Sequence, residues 1–311
     1  MVKDNEIKAQ VSPFAIREGE IKTFDGKDGY VSMNQIVHKI NIGHINEIHF
    51  AILDLVNEFE FITSRQLYQM LEIKGFDPKS QDKLNNKLEQ LVKSKILTRY
   101  YFTSDEGKGI YRIYCLEKMG KYLLNSKEID CKWQPSDNTK PVPMIKKRLA
   151  GNQTLIAYLR KVKAFDSYIV KPAITAKTAG KLFKASGGAV KLTKNNKSIQ
   201  FVFEVIRREQ DWEKKLIERM RLYKDFYENY VLGDSGFCSM PQLILVCEDE
   251  KHMAETFKEI VKNQVEIPQI KLYFTTDLRQ NKETLEETLV EFKLIDGKYR
   301  MENVELKLLG M

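Results

Sequence analysis

Thr63-Ser64-Arg65-Gln66-Leu67-Tyr68-Gln69-Met70-Leu71-Glu72-Ile73-Lys74-Gly75-Phe76-Asp77-Pro78-Lys79-Ser80, residues 63–80, carries the start and stop signals of one helix and the beginning of the next. Thr63 with Gln66 three residues later has the form of a capping box, in which a hydroxyl and a side-chain amide each satisfy one free backbone group at a helix start. Leu67, Met70 and Leu71 follow at helical spacing as the inward face, and Gly75 suits the end of the helix. Asp77-Pro78-Lys79-Ser80 then predicts a further helix with proline in its first turn. Leu84, Leu88, Leu91 and Val92 supply that helix with a core stripe. Two helices joined by so short a turn make a helix-turn-helix.

Outward from this centre the pattern continues on both sides. Ile45, Ile48, Ile52, Leu55, Val56 and Phe59 recur at helical spacing and predict a preceding helix. After Ile96 the period becomes extended: Leu97–Phe102 and Ile110–Leu116 are rich in aromatic and β-branched residues. The polar turn Thr103-Ser104-Asp105-Glu106-Gly107-Lys108-Gly109 joins them, and Lys118–Leu124 predicts a short closing helix. Three helices followed by a β-hairpin is the order of a winged helix-turn-helix domain, spanning residues 45–124. Residues 1–44 form an N-terminal extension whose one strong signal is a hairpin turn at Asp25-Gly26 and Asp28-Gly29.

Residues 125–145 hold Pro135, Pro141 and Pro143 among polar residues and read as an interdomain linker. Residues 146–311 alternate helical and extended patterns. A helix is expected near Gln153–Lys163, strands at Ser167–Val170, Val190–Thr193 and Ile199–Ile206, and a long helix from Glu209 to Tyr230. Beyond these come a strand Leu243–Cys247, a helix Met253–Val261, a strand Ile270–Thr275 and a helix Lys282–Leu289. This alternation predicts an α/β domain with a mixed central sheet, so the fold class of the whole is α+β.

The chain has 311 residues, 42% of them hydrophobic and 30% charged, which suits two globular domains. Its longest apolar runs, such as Leu243–Cys247, fall far short of a bilayer span, and Met1–Glu6 lacks the apolar core of a signal peptide. A cytoplasmic location without membrane contact is expected. Cys115, Cys131, Cys238 and Cys247 lack zinc-ligand spacing and are expected as reduced thiols. His44 and His49, five apart, diverge on a helix. Neither a metal nor a cofactor is expected, and no P-loop, G-x-S-x-G or G-x-G-x-x-G is present.

Charge is unevenly spread. Residues 1–130 contain 19 basic and 19 acidic residues, residues 131–200 contain 15 and 2, and residues 201–311 contain 17 and 22. The basic middle reads as the footprint of a polyanion, and nucleic acid fits better than anionic lipid because no amphipathic membrane helix accompanies it. With Leu84, Leu88 and Leu91 buried, Lys79, Lys83, Asn86 and Gln90 project outward with Asp82 and Lys93, and Lys87 lies on the flank. Lysines suit phosphates, while Asn and Gln pair with base edges such as adenine. Thr63, Ser64 and Arg65 are candidates for a backbone phosphate at a helix start. Lys108 at the hairpin tip, with Arg99 and Arg112 on its strands, are candidate groove or phosphate contacts. Lys146-Lys147-Arg148 would extend the footprint, with Arg160-Lys161 and Lys163 bracketing the predicted helix from its other end, and Gly180, Gly187 and Gly188 suggest a loop ordered on phosphate. The expected partner is double-stranded DNA, bound by a homodimer. Asp82 and the neutral balance of residues 1–130 favour the other reading, a winged helix used for protein contacts.

The winged helix, the strand Phe201-Val202-Phe203-Glu204-Val205-Ile206-Arg207 and the next helix with Lys215 and Tyr223 together resemble the replication-relaxation proteins of Gram-positive plasmids and mobile elements. That resemblance implies a second domain of restriction-endonuclease-like fold and a setting in plasmid replication or transfer. A nuclease of that fold needs an Asp at one strand end and Asp/Glu-x-Lys on the next, to hold magnesium. Glu204 matches the second carboxylate, but Ile206 stands where the lysine belongs, and Ser186-Gly187-Gly188-Ala189-Val190 contains no Asp. The domain is therefore expected to be degenerate and without catalytic residues, with Glu204 a structural partner of a Lys or Arg. Trp212, Tyr223, Phe226, Tyr227 and Tyr230 are expected in core or dimer packing. The expected function is sequence-specific DNA binding, as a transcriptional regulator or an accessory factor for plasmid replication or transfer. The alternatives are a metal-dependent nuclease and a protein-binding adaptor.

Overall fold

Local capping and apolar periodicity set the elements of the first half. In the computed structural model, which describes residues 11–104, 107–108, 111–162, 165–194, 197–282 and 284–304, the chain divides into two compact units. One comprises residues 16–163 with 168–170; the other comprises residues 1–15, 164–167 and 171–311.

The first unit runs β1 (Ile21–Phe24), α1 (Met33–Asn41), α2 (Glu47–Phe59), β2 (Ile62–Thr63), α3 (Ser64–Ile73), α4 (Gln81–Lys93), β3 (Leu97–Ser104), β4 (Gly107–Lys108), β5 (Ile113–Leu116), α5 (Lys118–Ser126) and α6 (Val142–Lys161). Its sheet has the order β1-β3-β5-β2, with β4 pairing β3 and every pairing antiparallel. The capping box at Thr63 forms as the spacing predicts: Gln66 N–H donates to the Thr63 hydroxyl at 3.2 Å and Thr63 N–H to the Gln66 carboxamide at 3.1 Å. Ile52, Leu55, Val56 and Phe59 of α2, Leu67, Met70 and Leu71 of α3, and Leu84, Leu88 and Leu91 of α4 are buried in one core.

Four expectations are corrected here. Residues 21–29 form no hairpin of their own. Instead β1 pairs with β3, from Ile21 opposite Thr103 to Phe24 opposite Tyr100, because the Asp25 carboxylate is bound by Arg99 and Arg112. Residues 16–44 are thus part of the unit, with α1 an unforeseen helix. Pro78 lies before α4 rather than in its first turn: Ser80 is the N-cap, accepting from Lys83 N–H at 3.2 Å, and Lys79 adopts a left-handed conformation with φ 66°. Residues 125–145 are not a bare linker. Pro135–Thr139 forms a 3-10 turn whose Asn138 is buried and donates to the Leu116 carbonyl at 2.8 Å. Pro141 is the N-cap of the 20-residue helix α6. This helix buries Ile145, Leu149, Leu155, Ile156 and Leu159, and Asn152 donates to the Phe61 carbonyl at 2.7 Å. The unit boundary therefore lies near residue 163 and not before residue 146.

The second unit contains β6 (Phe165–Ile169), which straddles the boundary, β7 (Ala173–Ala176), β8 (Lys181–Lys184), β9 (Ala189–Lys194), β10 (Lys197–Val205), α7 (Trp212–Glu228), β11 (Gln242–Cys247), α8 (Glu250–Lys262), β12 (Leu272–Thr276), α9 (Leu285–Thr288), β13 (Val290–Ile295) and β14 (Lys298–Asn303). The sheet order is β14-β13-β12-β11-β10-β9-β6. β10, β11 and β12 are parallel neighbours joined through α7 and α8, whereas β9 on β10 and β13 on β12 are antiparallel, so the sheet is mixed as expected. Tyr223, Phe226 and Tyr227 of α7 are buried against Val202, Leu243 and Leu245, with Trp212 and Tyr230 packed beside them; the aromatic stripe is core. The helix expected over Lys282–Leu289 is only four residues long, and the hairpin β13–β14 was hidden by its solvated charges.

The glycine loop is also corrected. Gly187 and Gly188 are buried and exchange backbone hydrogen bonds with Phe203 at 2.9 Å, and a Cβ on Gly187 would lie 2.6 Å from that of Phe203. Gly180 turns the hairpin β7–β8. All four cysteines are free thiols, and among the described residues no helix is long and apolar enough to cross a membrane.

Candidate nucleic-acid interface

The outward face of α4 is open. Lys83, Asn86, Gln90 and Lys93 are exposed at helical spacing and Lys87 is half-buried, the arrangement that burial of the leucine stripe dictates. Lys79, Lys83, Asn86, Lys87 and Gln90 line one groove of about 670 Å³, closed on its other side by Asn46, Glu47 and Ile48 at the start of α2. Phe76, Asp77 and Pro78 form its end. Five residues predicted from the helical projection are thereby brought together. The lining from α2 was missed because residues 46–48 lie more than thirty positions upstream and are ordinary helix-start residues.

The charges in the groove differ in availability. Lys79 pairs with Asp77 at 2.6 Å, which raises the lysine pKa and lowers that of the carboxyl. Lys83 and Lys87 have no ion pair among the described residues. Behind the groove, buried His49 bridges the start of α2 to α4. Its Nδ1 takes the Asn46 backbone N–H at 3.2 Å, and its Nε2 lies 3.2 Å from Oε1 of Gln90. Burial first, and then the charge of Lys87, lower the His49 pKa and keep the ring neutral.

The other predicted contacts are placed differently. Thr63 is buried and its hydroxyl is occupied by the cap, Ser64 is half-buried, and only Arg65 at that helix start is exposed. Arg99 is held by Asp25 at 3.0 Å and by Glu89. Burial opposes its charge, but those two carboxylates outweigh the burial and raise its pKa. Arg112 shares Asp25 at 2.8 Å. Neither arginine is a free cation for phosphate, since both anchor the N-terminal strand. Lys108 has its backbone in β4, and its side chain lies outside the described residues.

The run Lys146-Lys147-Arg148 is the largest correction. Lys146 is 2% exposed and forms a salt bridge with Glu20, itself 7% exposed, while its ammonium lies 5.3 Å from the Phe102 ring centre. Arg148 is half-buried, donating to the Val170 carbonyl at 3.3 Å with Glu60 3.7 Å away, and Lys147 is half-buried. Such a run sits on the inner side of α6 because that helix is buried over most of its length. Elsewhere in the basic middle, Lys140 pairs with Glu60 and Asp137, Lys177 with Asp234 and Lys191 with Asp166. Part of the surplus charge therefore meets carboxylates of the chain itself.

In the second unit Glu204 is fully buried on β10. The Ser186 hydroxyl donates to one oxygen at 2.9 Å and the Tyr223 hydroxyl to the other at 2.9 Å, and Arg219 lies 3.6 Å away. Arg207, on the opposite strand face, pairs with buried Asp277 at 2.8 Å. Comparison of the chain with protein-family models, curated proteins and solved structures finds no match in any of the three.

Proposed function

We propose that the first unit is a winged helix-turn-helix that places α4 in the major groove of duplex DNA. On this reading the chain is a sequence-specific regulator or an accessory factor for replication or transfer. The order α2-β2-α3-α4-β3-β5, three helices threaded with a small antiparallel sheet, supports the fold reading. The observation that carries the function is the α4 face: Lys83 and Lys87 without an ion pair among the described residues, and Asn86 and Gln90 exposed beside them. A restriction-endonuclease-like second unit and a plasmid or mobile-element setting rest on the resemblance alone.

The footprint is smaller than composition suggests. With Arg99, Arg112, Lys146 and Arg148 engaged internally, phosphate contacts come from Lys83, Lys87 and Arg65, joined by Lys79 when its exposed pair with Asp77 opens to a phosphate. So few contacts favour a homodimer that reads two half-sites about one helical turn apart. Selection from a random duplex library tests the reading: Asn86→Ala should relax preference at one base pair by about 1–3 kcal/mol, and Lys83→Ala should weaken all duplexes alike. Recovery of no enriched sequence by the native protein refutes it. Glu47 and Asp77 beside the lysines favour a second reading, an adaptor that binds a protein segment of mixed charge in the same groove.

A further inference from the structure

We infer that His49 is a positioning residue that locks the Gln90 carboxamide with its nitrogen outward, so that Gln90 offers the groove a donor and selects against cytosine. The inference rests on the DNA-binding reading above and deepens it.

The chemistry follows from one fixed hydrogen bond. The Asn46 backbone N–H points at His49 Nδ1, at 3.2 Å, so that nitrogen carries no proton. The Asn46 carboxamide oxygen also stands 2.9 Å from it, but turning that carboxamide end for end gives up only a long 3.5 Å bond to the Gly43 carbonyl, whereas a backbone N–H cannot turn, so the backbone decides the tautomer. A neutral imidazole with bare Nδ1 holds its proton on Nε2, and that proton is donated to Gln90 Oε1 at 3.2 Å. A free glutamine presents either its oxygen or its nitrogen to a base with little preference. Here the oxygen is engaged on the buried side, and the NH2 group is left to the open face of α4.

A donor at that place matches acceptors on base edges: O6 and N7 of guanine, O4 of thymine, N7 of adenine. Cytosine presents only its N4 amino group in the major groove, a donor facing a donor. Rejecting cytosine would require no contact beyond these, and the discrimination is set by a residue that never touches DNA.

Two experiments test this. In the free protein, 15N NMR of the imidazole should show His49 neutral with its proton on Nε2; a proton on Nδ1 overturns the inference whatever the protein binds. In duplex selection the native protein should reject cytosine at one position by about tenfold to a hundredfold, the range of a good base contact. His49→Ala should admit cytosine there, and His49→Gln, which restores both the cap and a donor, should reject it again. Gln90→Glu, an acceptor only, should turn the preference toward cytosine. A selective protein in which none of these variants changes acceptance of cytosine overturns the inference alone. A protein that enriches no duplex overturns the DNA-binding reading and the inference with it.

Discussion

Replacing Lys146 with alanine should unfold the first unit more readily and leave DNA affinity per folded molecule unchanged. Lys146 is 2% exposed and its partner Glu20 is 7% exposed, so the substitution strands a carboxylate where water cannot solvate it. Breaking a buried pair from one side costs about 3–5 kcal/mol. Loss of the aliphatic stem and of the cation beside the Phe102 ring acts in the same direction. For an unfolding unit of roughly 150 residues, at about 2–4 °C per kcal/mol, the melting temperature should fall by about 6–20 °C. Calorimetry or circular dichroism on the full chain measures this. The double variant Glu20→Ala/Lys146→Met should recover much of the loss, because it removes both charges together. If Lys146→Ala melts within about 0.5 kcal/mol of the native protein, as a surface substitution does, the burial argument is wrong and the lysine is available to phosphate after all.

Three further outcomes follow. His252 is buried and its pKa is pushed down to about 3, by burial and then by Arg208 and Arg207. It stays neutral in the folded chain while the unfolded chain takes up a proton below about 6.5, so stability is lost as pH falls from about 6.5 toward 3, at about 1.4 kcal/mol per pH unit. Urea denaturation of the native protein and His252→Gln should diverge with that slope between about pH 6 and 4; parallel curves refute the assignment. Gly120→Ala puts a Cβ 2.4 Å from the Ile96 carbonyl oxygen, so the clash outweighs the gain in helix propensity and should cost roughly 1–3 kcal/mol by thermal melting. Arg99→Ala removes the partner of Asp25 and Glu89, and should increase hydrogen exchange of the β1 amides while leaving those of α4 protected.

What could be read in the sequence was what is local. The Thr63 cap and the leucine stripe of α4 depend on residues three and four apart, and both the helices and the outward set Lys83, Asn86 and Gln90 follow from them. The strand β1 was illegible because its partner β3 lies about eighty residues away and nothing nearby announces the pairing. The lysine run misled for a related reason: composition counts charges but does not show that Glu20 and Glu60 stand opposite Lys146 and Arg148. Prolines misled too, since Pro141 caps a helix as readily as it marks a linker. His49 gave no signal of its own, because its role depends on Gln90 being brought to its ring by the fold.

Titration of a fluorescent duplex, taken from enriched fragments, with the native protein and Lys83→Ala/Lys87→Ala across a range of salt shows whether α4 meets the phosphate backbone. With each phosphate contact contributing about 0.9 to the slope of log affinity against log salt, the native slope should be about −3 to −4 per protomer, and the variant should lose about 1.8 of it. Lys146→Met should keep the native slope. Equal slopes for the native protein and the α4 variant, or no binding of any duplex at low salt, would contradict the claim that this helix meets DNA.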